Sequence, residues 1–99
     1  MSAVSRDPTS ARTTARIVNR QGLHARPISM IVQIAHRFDA ELRVCGPDGT
    51  IADGKSVFSL MTLAAGQGAD LVLEGNGTQA GALVEAVAEL VARGFDEDR

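Results

Sequence analysis

The sequence predicts an α+β open-faced sandwich, a four-stranded antiparallel sheet covered on one face by three helices in the order β-α-β-β-α-β-α. Three observations lead there. Segments of period two alternate with segments of helical period, and the loops between them are short and rich in Gly, Asn and Asp. The chain has 99 residues, enough for one domain around one core. Its hydrophobic share is 44%, carried by Ala, Val, Leu and Ile, with no Trp or Tyr and three Phe, so the core must be aliphatic.

Each element follows from its local pattern. Residues 1–11 mix small polar residues with a proline and show no periodicity, which predicts a disordered N-terminal tail; the domain then occupies 12–95 and an acidic tail 96–99. The β-branched residues of 13–18 predict a first strand, closed by the turn chemistry of Asn19-Arg20-Gln21-Gly22. From Pro27, the apolar residues Ile28, Ile31, Val32, Ala35 and Phe38 recur at helical spacing and leave Ser29, Gln33, His36 and Arg37 outside. Residues 40–44 alternate apolar with charged, so Glu41 and Arg43 should lie on the open sheet face. Gly46-Pro47-Asp48-Gly49 is a turn that returns residues 50–52 as a hairpin strand. Ser56 is the expected N-cap of a helix over 57–65, which Gly66-Gln67-Gly68 ends. A buried strand over 70–74 precedes the Gly75-Asn76-Gly77 turn. Thr78 is the expected cap of the last helix, whose apolar stripe is Leu83, Val84, Val87, Leu90 and Val91. A Glu89 to Arg93 pair is expected on its outer face, with Gly94 as its stop and Phe95 turned back from a frayed end.

Composition excludes several function classes. Ten basic against twelve acidic residues give a net charge of −2, so there is no basic field for nucleic acid or an anionic membrane. The single cysteine, Cys45, has no partner for a disulfide or a thiolate metal site, which points to a reducing, cytoplasmic setting. No apolar run reaches the roughly 20 residues of a membrane span, and no secretory leader is evident. Nucleotide fingerprints and metal-ligand spacings are missing, and no second histidine is placed to act with His24. These readings predict a protein without cofactor or metal, and a carrier without turnover of its own.

The chemistry gathers in Gly22-Leu23-His24-Ala25-Arg26-Pro27. Proline fixes its own φ near the helical value and has no N–H to give, so Pro27 belongs in a first helical turn and makes His24 or Ala25 the cap. Unpaired backbone N–H groups and the positive end of the macrodipole converge there, which suits transient capture of a phosphoryl group on the imidazole. Arg26 supplies a permanent cation, and the amides of Ala25 and Arg26 supply donors. A histidine at a helix start is ordinarily a surface residue or a cap; the Ala-Arg-Pro context gives it a phosphate site. His36 has no such context and is read as solvated.

On the helix after Ser56, Val57, Leu60, Leu63 and Ala64 form one apolar stripe, while Phe58 and Met61 sit on another face and are surplus to a core. An exposed Phe and Met beside the His24 loop would make a docking patch, with Val57 at its border and Ser29 of the first helix joining it.

Taken together, Gly22-Leu23-His24-Ala25-Arg26-Pro27, Phe38-Asp39-Ala40-Glu41, Lys55-Ser56-Val57 and Gly66-Gln67-Gly68-Ala69 resemble the histidine-containing phosphocarrier family, HPr, of the bacterial phosphoenolpyruvate-dependent phosphotransferase system. The resemblance implies that His24 accepts a phosphoryl group at Nδ1 from phosphorylated enzyme I and passes it to a histidine of an enzyme IIA domain. It further implies Arg26 as phosphate partner, docking through the first two helices, a monomer, and modification of Ser56 by a serine kinase and phosphorylase in some members. A domain that keeps the fold and regulates through Ser56 without transfer is the alternative. Residues 94–98 resemble the nitrogen-related branch, Lys55-Ser56 the sugar-transport branch, and the branch stays open. Ile28 departs from the small residue common after Pro27, which implies an altered surface near His24.

Overall fold

The protein is described by a computed structural model over residues 4–99. The chain runs β1 (Ser5–Asp7), β2 (Ser10–Arg16), α1 (Ala25–Ala35), β3 (Glu41–Cys45), β4 (Ile51–Asp53), α2 (Val57–Leu60), β5 (Asp70–Asn76) and α3 (Ala80–Ala92), then a 3-10 turn over Gly94–Asp96. All strand pairs are antiparallel, in the sheet order β1-β2-β5-β3-β4. The open-faced sandwich is therefore as expected, with five strands in place of four.

The extra strand comes from the segment expected to be a disordered tail. Asp7 turns the chain by accepting a hydrogen bond from the Thr9 amide at 3.1 Å, and Ser5 to Asp7 pair with Arg12 to Ser10. Arg6 pins the hairpin to the last helix, reaching Glu85 at 2.7 Å. All three β1 residues are exposed; the hairpin is held by its ladder, by this ion pair and by Val4, half-buried against the core just before the strand. Residues 1–3 of the expected tail lie outside the described residues.

Alternation decides which sheet face the helices cover. Ala11, Thr13 and Ala15 of β2, Leu42 and Val44 of β3, and Leu71 and Leu73 of β5 point inward and are buried. They meet Leu83, Val84, Val87, Leu90 and Val91 of α3 together with Ile28, Ile31 and Ala35 of α1. The opposite face is polar as expected: Glu41 and Arg43 are exposed, and Arg16 of β2 faces Asp70 of β5 at 3.0 Å.

Several local expectations change. The second helix is one turn long; the Thr62 hydroxyl donates to the Ser59 carbonyl at 2.7 Å and Leu63 N–H bonds three residues back to Leu60, which tightens and ends it. Ala64 is consequently exposed, while Leu60 and Leu63 reach the core. Gln79, not Thr78, caps α3 and makes no side-chain cap bond. Arg93 pairs with Asp96 at 3.0 Å in place of Glu89, because the turn after α3 brings Asp96 within reach. Ile28 is buried, so it shapes the core and not the surface beside His24.

Candidate functional site

His24 is the N-cap of α1, with φ −101° and ψ −170°, and its side chain makes no cap bond. The first intrahelical bond runs from Ile28 N–H to the His24 carbonyl at 3.1 Å. Pro27 has no N–H, so the open donors of this end are the Ala25 and Arg26 amides. Two contacts hold the loop that presents the ring. Leu23 N–H donates to the Ala65 carbonyl at 2.9 Å, and His24 N–H to the Gly22 carbonyl at 3.1 Å. Gly22 has φ +67°, and a Cβ there would lie 2.7 Å from the Ala65 carbonyl oxygen. Only glycine lets the His24 loop and the segment after α2 approach this closely.

The C-terminal turn completes the site, which the expectation of a frayed acidic tail missed. His24 Nε2 lies 2.9 Å from Oε1 and 3.0 Å from Oε2 of Glu97. Arg26 donates to Glu97 Oε2 at 2.9 Å and to the Phe95 carbonyl at 2.9 Å. Asn19, fully buried, donates through Nδ2 to Glu97 Oε1 at 3.1 Å and to the Gly22 carbonyl at 2.8 Å, while its Oδ1 finds no partner. The hydrogen bond from His24, and after it those from Arg26 and Asn19, hold Glu97 below the usual carboxylate range against an opposing desolvation. An ionised carboxylate accepts only, so His24 Nε2 is the donor in this pair.

Delivering Glu97 requires an unusual backbone. Gly94, Phe95 and Asp96 have φ of +69°, +55° and +59° in succession. For Phe95 and Asp96 each such conformation costs on the order of 1–3 kcal/mol. Phe95 is fully buried, and removing a side chain of its size from water returns roughly 1.5–3 kcal/mol, comparable with the strain. The Arg20 N–H bond to the Asp98 carbonyl at 2.8 Å anchors the end of the turn.

The His24 side chain is one-third exposed and that of Arg26 about half, so the reactive end of α1 is open to solvent. Ser29 is half-buried on α1. On α2 and its C-cap, Phe58 is 84% and Met61 62% exposed, and Val57 joins them at 42%. The surplus apolar side chains are thus on the surface, on the helix whose following segment abuts the His24 loop. Ser56 caps α2, its hydroxyl accepting from Ser59 N–H at 3.2 Å. His36 is exposed and bonds the Lys55 carbonyl at 3.1 Å, linking the end of α1 to the start of α2. Burial first, and Glu74 after it, push the Cys45 thiol up, opposite to what a reactive thiol needs. Among the described residues no cluster of metal-ligating side chains occurs, and no helix is long and apolar enough to cross a membrane.

Comparison with known proteins converges on one family. Residues 11–93 match the family described as "PTS HPr component phosphorylation site". The chain is 35% identical over 89 residues to the phosphocarrier protein NPr of Klebsiella oxytoca, covering 90% of this chain and 99% of that protein. It is 40% identical over 81 residues to the phosphocarrier protein HPr of Pseudomonas aeruginosa, covering 82% and 90%. Among solved structures, HPr from Thermoanaerobacter tengcongensis superposes with a TM-score of 0.82 at 31% identity, covering 89% of this chain and 98% of that one. With an open-faced sandwich that presents a histidine at the start of its first helix, and with matches spanning nearly the whole domain, the chain belongs to the HPr family of phosphocarrier proteins of the phosphotransferase system.

Proposed function

We propose that the protein accepts a phosphoryl group on His24 from phosphorylated enzyme I and passes it to a histidine of an enzyme IIA domain. The observation that carries this reading is the N-terminus of α1: an imidazole at the cap position, open amides at Ala25 and Arg26, and the Arg26 guanidinium beside them. Phosphate oxygens on the ring would meet the two amides and, once it turns from Glu97, the Arg26 fork. The site is shallow and exposed, which favours handing the group on over storing it. Val57, Phe58 and Met61, with Ser29 on α1, form the docking face for donor and acceptor proteins.

The decisive experiment is incubation with enzyme I and phosphoenolpyruvate, followed by intact mass. The expected gain is one acid-labile phosphoryl group, absent in His24→Ala and retained in Ser56→Ala. Onward transfer to sugar-type or nitrogen-type enzyme IIA assigns the branch. Lys55-Ser56 supports the first; the terminal segment at 94–98, packed at the site through Phe95 and Glu97, supports the second. A phosphate on Ser56 would place charge at the border of the Val57, Phe58 and Met61 patch and weaken docking, a regulatory input separate from transfer.

A further inference from the structure

We propose that Glu97 is a positioning residue for His24, fixing which ring nitrogen is the nucleophile; this rests on the phosphocarrier reading. Both Glu97 oxygens lie within 3.0 Å of Nε2, so in the neutral ring the hydrogen is held there and the lone pair is left on Nδ1. Rotation of the ring is restrained because the carboxylate is itself held from two other sides, by Arg26 and by buried Asn19. A freely solvated glutamate has no such fixed position. The backbone that delivers Glu97 passes through three consecutive positive φ values and a fully buried Phe95, a costly route for a residue that serves only as a solubilising charge.

The arrangement gives Glu97 the role that the carboxylate has in a Ser-His-Asp triad, applied to a histidine that is itself the nucleophile. In the transfer step, the Nδ1 lone pair attacks phosphorus on the donor phosphohistidine. The donor P–N bond breaks, and its electron pair stays on the donor ring. No proton leaves His24; Nε2 keeps its hydrogen, and the positive charge that the ring acquires faces the Glu97 carboxylate. The same contact supports the reverse partition, since a phosphorylated ring that keeps its Nε2 hydrogen is a good leaving group toward the next acceptor.

Two measurements on the full chain and on Glu97→Ala and Glu97→Gln test this. Ring ¹⁵N shifts at alkaline pH read the tautomer directly, which a merely structural role for Glu97 would not move. The wild-type ring is expected to carry its hydrogen almost wholly on Nε2, Glu97→Ala to show a substantial Nδ1–H share, and Glu97→Gln, whose amide oxygen can still accept, to fall between. Phosphoryl uptake from phosphorylated enzyme I is expected to slow on the order of tenfold in Glu97→Ala, the scale typical of losing a partner that orients a working imidazole. A tautomer ratio unchanged in Glu97→Ala, or an uptake rate within twofold of wild type, overturns the proposal while leaving the phosphocarrier reading intact. A wild-type chain that takes up no phosphoryl group overturns both.

Discussion

The N-termini of α1 and α2 start from the same problem, orphan backbone donors at a helix end, and differ in what the cap side chain does there. At α2 the Ser56 hydroxyl accepts from Ser59 N–H, so the third amide of that end is met by its own cap, while the Val57 and Phe58 amides stay open. At α1 the cap residue His24 makes no such bond, its ring is turned to Glu97, and the Ala25 and Arg26 amides stay open. Both ends leave their first two amides open; α1 alone sets an imidazole and the Arg26 guanidinium beside them, where α2 has a hydroxyl committed to its own third amide. The difference separates a structural helix start from a reactive one, although both residues are polar and both precede apolar helical stretches.

The largest expected effect breaks the comparison outright. His24→Ala removes the nucleophile and abolishes phosphoryl uptake, whereas Ser56→Ala leaves uptake in place; intact mass after incubation with enzyme I and phosphoenolpyruvate checks both. Next in size, Phe95→Ala empties a fully buried site and should cost about 3–5 kcal/mol by chemical denaturation, loosening the turn that brings Glu97 to the reactive end. Phe58→Ser combined with Met61→Ser should leave stability within about 0.5 kcal/mol, because both side chains are already in water. The same pair should raise the KM for enzyme I about tenfold, or roughly 1.4 kcal/mol of docking. Ser56→Ala sharpens the contrast at the α2 end, with a loss of about 1 kcal/mol of stability and no change in transfer chemistry.

The smallest effect is one of pH. Glu97 is held below the usual carboxylate range in the folded chain, so its contribution is fully present above that range and is lost as pH falls through the lowered folded value. Amide exchange at Glu97, whose N–H bonds the Gly94 carbonyl at 3.0 Å, should therefore rise only at acid pH, well below neutrality.

What the sequence made legible was local. Pro27 announced the helix start and hence the place of His24, Ser56 announced its own cap, and the surplus of apolar residues after it announced an exposed Phe58 and Met61. Alternation in β3 announced the polar sheet face. Nonlocal features were hidden. β1 has no apolar residue to alternate, being held by its ladder, by Arg6 on Glu85 far along the chain and by Val4 packed on the core just outside the strand. The docking of Glu97 depends on positive φ at Phe95 and Asp96, a conformation that Asp tolerates but that no propensity assigns to Phe, so the acidic terminal run read as frayed. The one available signal was the apolar Phe95 inside that run, which needed burial and so had to pull its neighbours inward. Helix α2 was overestimated because the Thr62 hydroxyl competes for a backbone carbonyl, an effect invisible to apolar spacing.

The most direct measurement compares backbone amide spectra of the chain before and after phosphorylation by enzyme I. The account predicts one phosphoryl group on Nδ1 of His24, with large shifts at the Ala25 and Arg26 amides and none at Ser59. Phosphate on another atom, or uptake on His24 that leaves those two amides unmoved, would contradict it.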